Sequence, residues 1–257
     1  MKIRFIGTGS GKTSLKRDHS SILIENGNTN LLIDCGDGIS KAFLKNSISF
    51  NSINSILFTH YHADHFSGIA SLITQMKLDE RVGRLTIFTH TNLVEPLKNF
   101  LHSTYIFEES LQFELDIIGF EFGKDYSIND EISFYAKQNL HITNKYRTDS
   151  IPENQFVSSS MLIKIKDESI IYTSDIGIRE DLFLFDEVKP KIFITETTHI
   201  DKDWIHGIVA YYHPEKIYLT HISDEDEQEL VKYLRNQTFP HSVKVMLAED
   251  GHSVILF

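Results

Sequence analysis

The chain has 257 residues, 41% of them hydrophobic, with 18 Phe, 10 Tyr and a net charge of −11, so it can build a core without disulfides or a structural metal. The acidic balance argues against a broad surface for nucleic-acid phosphates, which needs clustered Lys and Arg, but leaves room for a small anionic substrate met by bound cations. The single cysteine, Cys35, excludes an internal disulfide framework, and its apolar setting in Leu31-Leu32-Ile33-Asp34-Cys35 predicts an inert buried thiol.

In chain order, the N-terminus Met1-Lys2-Ile3-Arg4-Phe5-Ile6-Gly7 reads as a strand rather than a secretory signal. Further strands are predicted at Ser21 to Glu25, Asn30 to Asp34 and Ser55 to Thr59, each short, apolar or alternating, and bounded by turn residues. Helices are predicted over Gly38 to Lys45 and over Phe66 to Lys77, where Phe66, Ile69, Leu72, Ile73 and Met76 recur at helical spacing. A strand at Arg84 to Thr89 and a helix around Asn92 to Leu101 follow, and the stretch from Tyr105 to Asn129 carries no readable period. The pattern restarts with strands at Ile132 to Lys137, Ser160 to Ile165 and Ser169 to Thr173, then a helix near Glu180 to Phe185 and a strand at Lys191 to Glu196. A helix near Trp204 to Tyr212, a strand at Lys216 to His221, a helix from Asp224 to Arg235, and strands at Val243 to Met246 and Ser253 to Leu256 complete the chain. With no linker, repeat or low-complexity tract, and no apolar run of the roughly 18 residues a membrane span needs, the expectation is one cytoplasmic domain over residues 1–257. Two strand-rich halves, each with helices, suit an α/β fold of two sheets packed face to face with helices outside.

The segment Phe58-Thr59-His60-Tyr61-His62-Ala63-Asp64-His65-Phe66-Ser67-Gly68 sits directly after an apolar strand and before an amphipathic helix. Alternation sends His60 and His62 to one side, and the turn swings Asp64 and His65 around the same point. Imidazole and carboxylate suit zinc and its neighbours, whereas a merely solvated turn would gain nothing from this density of histidine. Later strand ends offer more ligand-type residues: His141 after Ile132 to Gln138, Asp175 after Ile170 to Ser174, and His221 after Ile217 to Thr220. Asp34 also ends a strand, where a carboxylate can hold a metal-binding imidazole in place.

The His60-x-His62-x-Asp64-His65 run is the signature of the metallo-β-lactamase superfamily, and the chain is similar to the branch containing the tRNA 3′-processing endonuclease RNase Z and its smaller phosphodiesterase relatives. The resemblance includes Phe5-Ile6-Gly7-Thr8-Gly9-Ser10, Asp34-Cys35-Gly36-Asp37-Gly38, Tyr172-Thr173-Ser174-Asp175 and Leu219-Thr220-His221-Ile222-Ser223. It implies a four-layer αββα sandwich with two divalent metal ions, zinc first and manganese as the alternative. His60, His62 and His141 would hold one ion, Asp64, His65 and His221 the other, and Asp175 would bridge. It also implies a Glu–His pair that protonates the leaving alkoxide, assigned here to Glu196 in Ile194-Thr195-Glu196-Thr197-Thr198 and His206 in Trp204-Ile205-His206-Gly207. Asp64 would in addition steer the nucleophilic water.

With only 13 Gly and 5 Pro, the chain shows no Gly/Pro-rich arm of the kind that grips tRNA. The resemblance therefore points to arm-less members that hydrolyse 3′,5′-cyclic nucleotides to linear monophosphates, including phage-type anti-Pycsar enzymes. A tRNA 3′-end processing endonuclease is the alternative. A small nucleotide substrate, no stable nucleic-acid partner, no membrane partner and a homodimer are what the resemblance implies. β-Lactamases, glyoxalase-type thioesterases and sulfur dioxygenases share the histidine core but give less reason for the Glu–His pair, and a metal-dependent sensor without turnover is a further class. Gly7-Thr8-Gly9-Ser10-Gly11 matches neither a P-loop nor a dinucleotide fingerprint and reads as a tight turn, with Lys12 and Arg17 as candidate rim cations. In the polar stretch from His141 to Ser150, Tyr146 could stack on a base and Lys145 or Arg147 could meet phosphate, unless the loop is simply solvated.

Overall fold

The computed structural model describes residues 1–142, 148–186 and 188–256. Its contacts divide the chain into two compact units, Met1–Glu121 with Glu249–Phe257, and Phe122–Ala248.

The first unit opens with β1 (Lys2–Gly7), β2 (Ser21–Asn26) and β3 (Thr29–Ile33), an antiparallel meander. After α1 (Ile39–Lys45) comes β4 (Ser55–Leu57), which pairs parallel with β3. Two helices follow β4, α2 (Ala63–Phe66) and α3 (Ile69–Leu78), where periodicity predicts one helix from Phe66. The break falls at Ser67 and Gly68. The Gly68 N–H is drawn onto the Cys35 carbonyl at 2.9 Å, and a Cβ at Gly68 would stand 2.3 Å from the Gly36 carbonyl oxygen, so glycine permits the close approach. β5 (Leu85–His90), α4 (Val94–Ser103) and β6 (Leu115–Phe120) complete the run, β5 and β6 adding in parallel.

The second unit begins with β7 (Asp125–Ser127), β8 (Ile132–Gln138), β9 (Ser159–Ile165) and β10 (Glu168–Tyr172), again antiparallel. β11 (Ile192–Glu196), α5 (Trp204–Tyr212), β12 (Lys216–Thr220), α6 (Glu227–Asn236) and β13 (Lys244–Leu247) continue it, the three strands adding in parallel. The predicted helix near Glu180 is a single 3₁₀ stretch, Arg179–Phe183. The chain then returns to the first unit, where β14 (Ser253–Ile255) pairs with β1.

Among the described residues both sheets have seven strands, ordered β14-β1-β2-β3-β4-β5-β6 and β13-β12-β11-β10-β9-β8-β7. Each passes from an antiparallel side to a parallel one. In the second, β11 is buried at every residue, as expected of parallel strands covered on both faces, while β8 alternates between buried and half-buried positions up to Lys137 and ends on the exposed Gln138. Ile56, Ile69, Leu72, Ile73 and Leu97 lie in the core of the first unit, and Phe193, Ile205, Ile208, Ile217 and Leu219 in that of the second. Among the described residues, no helix is long and apolar enough to cross a membrane.

Strand direction positions the functional side chains. β1, β3 and β4 run the same way, so Thr8, Asp34 and His60 emerge at one edge of the first sheet. By the same reasoning β8, β10, β11 and β12 deliver His141, Asp175, Glu196 and His221 to one edge of the second. Clustering at the carboxyl ends of parallel strands is where open α/β sheets place ligands.

Candidate metal centre

In the first unit the ladder gives way to side-chain bonds just where the histidine motif begins. Phe58 N–H still reaches β5, at the Phe88 carbonyl 2.9 Å away, but the next amide leaves the ladder: Thr59 N–H goes to Asp34 Oδ1 at 2.9 Å. Asp34 is fully buried and organises the motif. Its Oδ2 accepts from His65 Nδ1 at 2.8 Å, and the Thr59 hydroxyl, 2.9 Å from the same oxygen, lies 3.1 Å from His60 Nδ1. Holding Nδ1–H of His65 on a carboxylate fixes the tautomer whose lone pair is on Nε2, the arrangement typical of metal-binding histidines. Burial raises the Asp34 carboxyl above its ordinary pKa, and the His65 ring pulls the other way.

The His60 ring stands 4.8 Å from that of His62 and 4.2 Å from that of His65, and His65 Nε2 lies 3.6 Å from Asp64 Oδ2. Two donor atoms each about 2.1 Å from one ion and set at a tetrahedral angle are about 3.4 Å apart, so the donor set and spacing fit a divalent ion. Gly36 permits the packing beneath, since a Cβ there would meet the Asp64 carbonyl oxygen at 2.2 Å. Arg17 is buried and donates to the Thr8 hydroxyl at 2.5 Å, while Asp250 accepts from Thr8 N–H, Thr8 Oγ1 and Asp18 N–H. Arg17 is therefore part of the base of the loop following β1. Lys12 is exposed, next to Gly11, at which a Cβ would come within 3.3 Å of Asp64 Oδ2.

In the second unit, Asp175 Oδ2 lies 3.5 Å from His141 Nε2 and 3.3 Å from His221 Nε2. Both spacings again match ligands sharing an ion, and one carboxylate oxygen serves two imidazoles. His141 Nδ1 faces the Ile176 carbonyl at 3.4 Å and His221 Nδ1 the Thr198 hydroxyl at 3.0 Å, directing each Nε2 to Asp175. Ser174 and His221 adopt left-handed backbone angles, φ 54° and 55°, as does Asp34 at φ 59°. For residues other than glycine this costs about 1–2 kcal/mol, and at these strand ends it turns the chain sharply enough to present the side chains at the edge.

Glu196 is buried, but its partner is not His206. Glu196 Oε1 accepts from His199 Nδ1 at 2.8 Å and from Ile176 N–H, and Oε2 accepts from the amides of Thr198 and His199. His206, on α5, instead bonds Gln237 Oε1 through Nε2 at 3.0 Å and stacks on Phe239. The expectation of a Glu196–His206 pair is corrected to Glu196–His199. The reason is local: the chain turns immediately after β11, so the residue three positions beyond Glu196 folds back onto its carboxylate, while α5 carries His206 toward Gln237. The His199 ring lies 5.0 Å from that of His141 and 5.9 Å from that of His221, and its side chain is 36% exposed. The Glu-x-x-His spacing was the available signal. The proposed contacts of Lys145, Tyr146 and Arg147 lie outside the described residues.

A family model described as Anti-Pycsar protein Apyc1 matches residues 1–239. A ribonuclease Z of Picrophilus torridus is 30% identical over 140 residues, covering 54% of this chain and 44% of its own; the chain thus spans less than half the length of that relative. Among solved structures, the metallo-β-lactamase fold protein YhfI from Bacillus subtilis superposes with a TM-score of 0.78 at 17% identity, covering 98% of each chain. The short form of human tRNase Z gives a TM-score of 0.72 at 17% identity, covering 100% of this chain and 99% of that one. These likenesses bear out the α/β metallo-β-lactamase fold expected from the sequence.

Proposed function

Because the chain belongs to the family of the anti-Pycsar protein Apyc1, we propose that it is a dinuclear metal-dependent phosphodiesterase that opens 3′,5′-cyclic nucleotides to linear monophosphates. His60, His62 and His141 would hold one ion and Asp64, His65 and His221 the other, with Asp175 available to both. The ions would be zinc, with manganese the alternative. When bound, they supply Lewis-acid polarisation of the phosphodiester and lower the pKa of water so that hydroxide is available near neutral pH.

The chain's own residues do the rest. Asp64 accepts a proton of the attacking water and aims it. Opening the ring expels a ribose alkoxide, a poor leaving group that needs a proton. His199 provides it: Glu196 holds Nδ1–H and stabilises the imidazolium, so that Nε2–H is presented to the departing oxygen. General-acid catalysis of this kind is worth about 10² to 10⁴ in rate.

The observation that carries this reading is the buried Glu196 carboxylate gripping the part-exposed His199 ring beside the His141 and His221 rings. An alkoxide leaving group requires such an acid, which supports a phosphodiester over the other esters cleaved on this fold. The similarity to ribonuclease Z favours a second reading, trimming of tRNA 3′ ends. Purified protein with added zinc or manganese, given a panel of 3′,5′-cyclic nucleotides beside a 3′-extended tRNA, decides between them. Conversion of cyclic nucleotides, absent in His62→Ala, is the expected result; trimming of tRNA alone selects the second reading, and no turnover of either refutes both.

A further inference from the structure

His141 and Asp175 come from strands that are not neighbours. β8 and β10 both pair with β9, which places them about 9.5 Å apart across the sheet at the usual strand spacing. Yet His141 Nε2 and Asp175 Oδ2 are 3.5 Å apart. The ladder does not close that gap, so the loops that leave β8 and β10 must be drawn together over the start of β9.

Two side chains outside the proposed ligand set do this. Asp181 is buried, and its Oδ2 accepts from Leu140 N–H at 3.0 Å, Gly177 N–H at 2.8 Å and Ile178 N–H at 3.2 Å. One oxygen thereby binds the residue before His141 to the residues that follow Asp175. Asn139 has no exposed surface. Its Nδ2 donates to the carbonyls of Thr173 and Asp175 at 3.2 and 2.9 Å, and its Oδ1 accepts from His141 N–H and the Ser158 hydroxyl. Gly177 makes the contact possible, since a Cβ there would lie 2.2 Å from the Leu140 carbonyl oxygen.

We propose that Asp181 and Asn139 are positioning residues that set the His141–Asp175 donor spacing, and that they govern metal affinity by cross-bracing the two ligand loops. The inference rests on the reading that His141 and Asp175 bind metal. Removing a partner that orients a ligand typically costs about 10- to 100-fold in metal affinity. Replacing Asp181 by Asn keeps an oxygen able to accept the same three amide protons, whereas Ala keeps none.

The test uses the full chain, stripped with a chelator and titrated with zinc against a chromogenic competitor, and separately with cobalt to record the d–d absorption. Asp181→Ala and Asn139→Ala are expected to bind zinc about 10- to 100-fold more weakly with an altered cobalt spectrum, and Asp181→Asn to restore both affinity and spectrum to near those of the unsubstituted chain. If Asp181→Ala does not fold, Asp181→Ser, too short to reach all three amides, takes its place with the same expectation. A variant that melts at lower temperature but keeps the original zinc affinity and cobalt spectrum overturns the proposal, because the loops would then be braced for the fold alone. Failure of the unsubstituted chain to bind zinc or cobalt overturns the metal reading itself and this inference with it.

Discussion

Asp34→Asn exchanges one carboxylate oxygen for an NH₂ in a site with no exposure to water, and the two possible orientations are not equivalent. Facing Thr59, the NH₂ would oppose a backbone N–H that cannot turn away. Facing His65, it opposes the Nδ1–H, which can escape by moving its proton to Nε2. The second orientation is therefore favoured, and the damage falls on the proposed ligand: a bond to a charged acceptor worth about 1.5–3 kcal/mol is lost, and the Nε2 lone pair is occupied. A loss of metal affinity of about 100-fold, the upper end for orienting residues, has a measurable consequence through linkage. With zinc at about 1,000 times the unsubstituted Kd, binding stabilises the fold by about 4 kcal/mol, and the same zinc concentration would stabilise the variant by about 1.4 kcal/mol. Guanidinium unfolding of both proteins with and without zinc measures the difference. Equal zinc-induced stabilisation in the two would refute the argument that Asp34 acts by fixing the His65 tautomer.

His199→Ala should slow turnover by about 10² to 10⁴ at unchanged metal content, while His206→Ala stays within about twofold and loses about 1 kcal/mol of stability with its Gln237 bond; the reverse ranking in steady-state kinetics would restore His206 to the acid's role. Burial raises the Cys35 thiol well above its ordinary pKa, with the neighbouring Asp34 charge adding to the effect, so a chromogenic aromatic disulfide at pH 8 should react only after denaturation. Reaction in the folded state would show that the turn after β3 opens. Partial burial raises the pKa of Asp250 above 3.8, so the unfolded chain gives up this proton at lower pH than the folded one does. Its contribution to stability therefore falls as pH rises from about 4 to the folded pKa and is level above it. The stability difference between the unsubstituted chain and Asp250→Asn should shrink across that interval, and a pH-independent difference would contradict it.

Much of the scaffold was legible because its signals are local. The helix over Trp204 to Tyr212 and most strand positions follow from apolar period and flanking turn residues, with ends displaced by a residue or two. β6 and β7 were not, because β6 is an edge strand whose middle residues are half-buried or exposed, and β7 has only three residues. The single helix predicted from Phe66 failed for a reason no window on the sequence contains: Gly68 is held by Cys35, more than thirty positions earlier.

The same division runs through the candidate site. The sequence by itself determined the donor chemistry, since His60, His62, Asp64 and His65 lie within one strand-to-helix turn, and it marked His141, Asp175 and His221 because each follows an apolar strand. The choice of His199 over His206 as the partner of Glu196 belonged to the tertiary structure, as did the grip of Asp34 on His65 and the bracing of two ligand loops by Asp181 and Asn139. Residue type and periodicity report what a side chain can do and which way its own segment turns. Which donor meets which acceptor depends on strand order and loop closure, and these are set by packing between segments far apart in the chain.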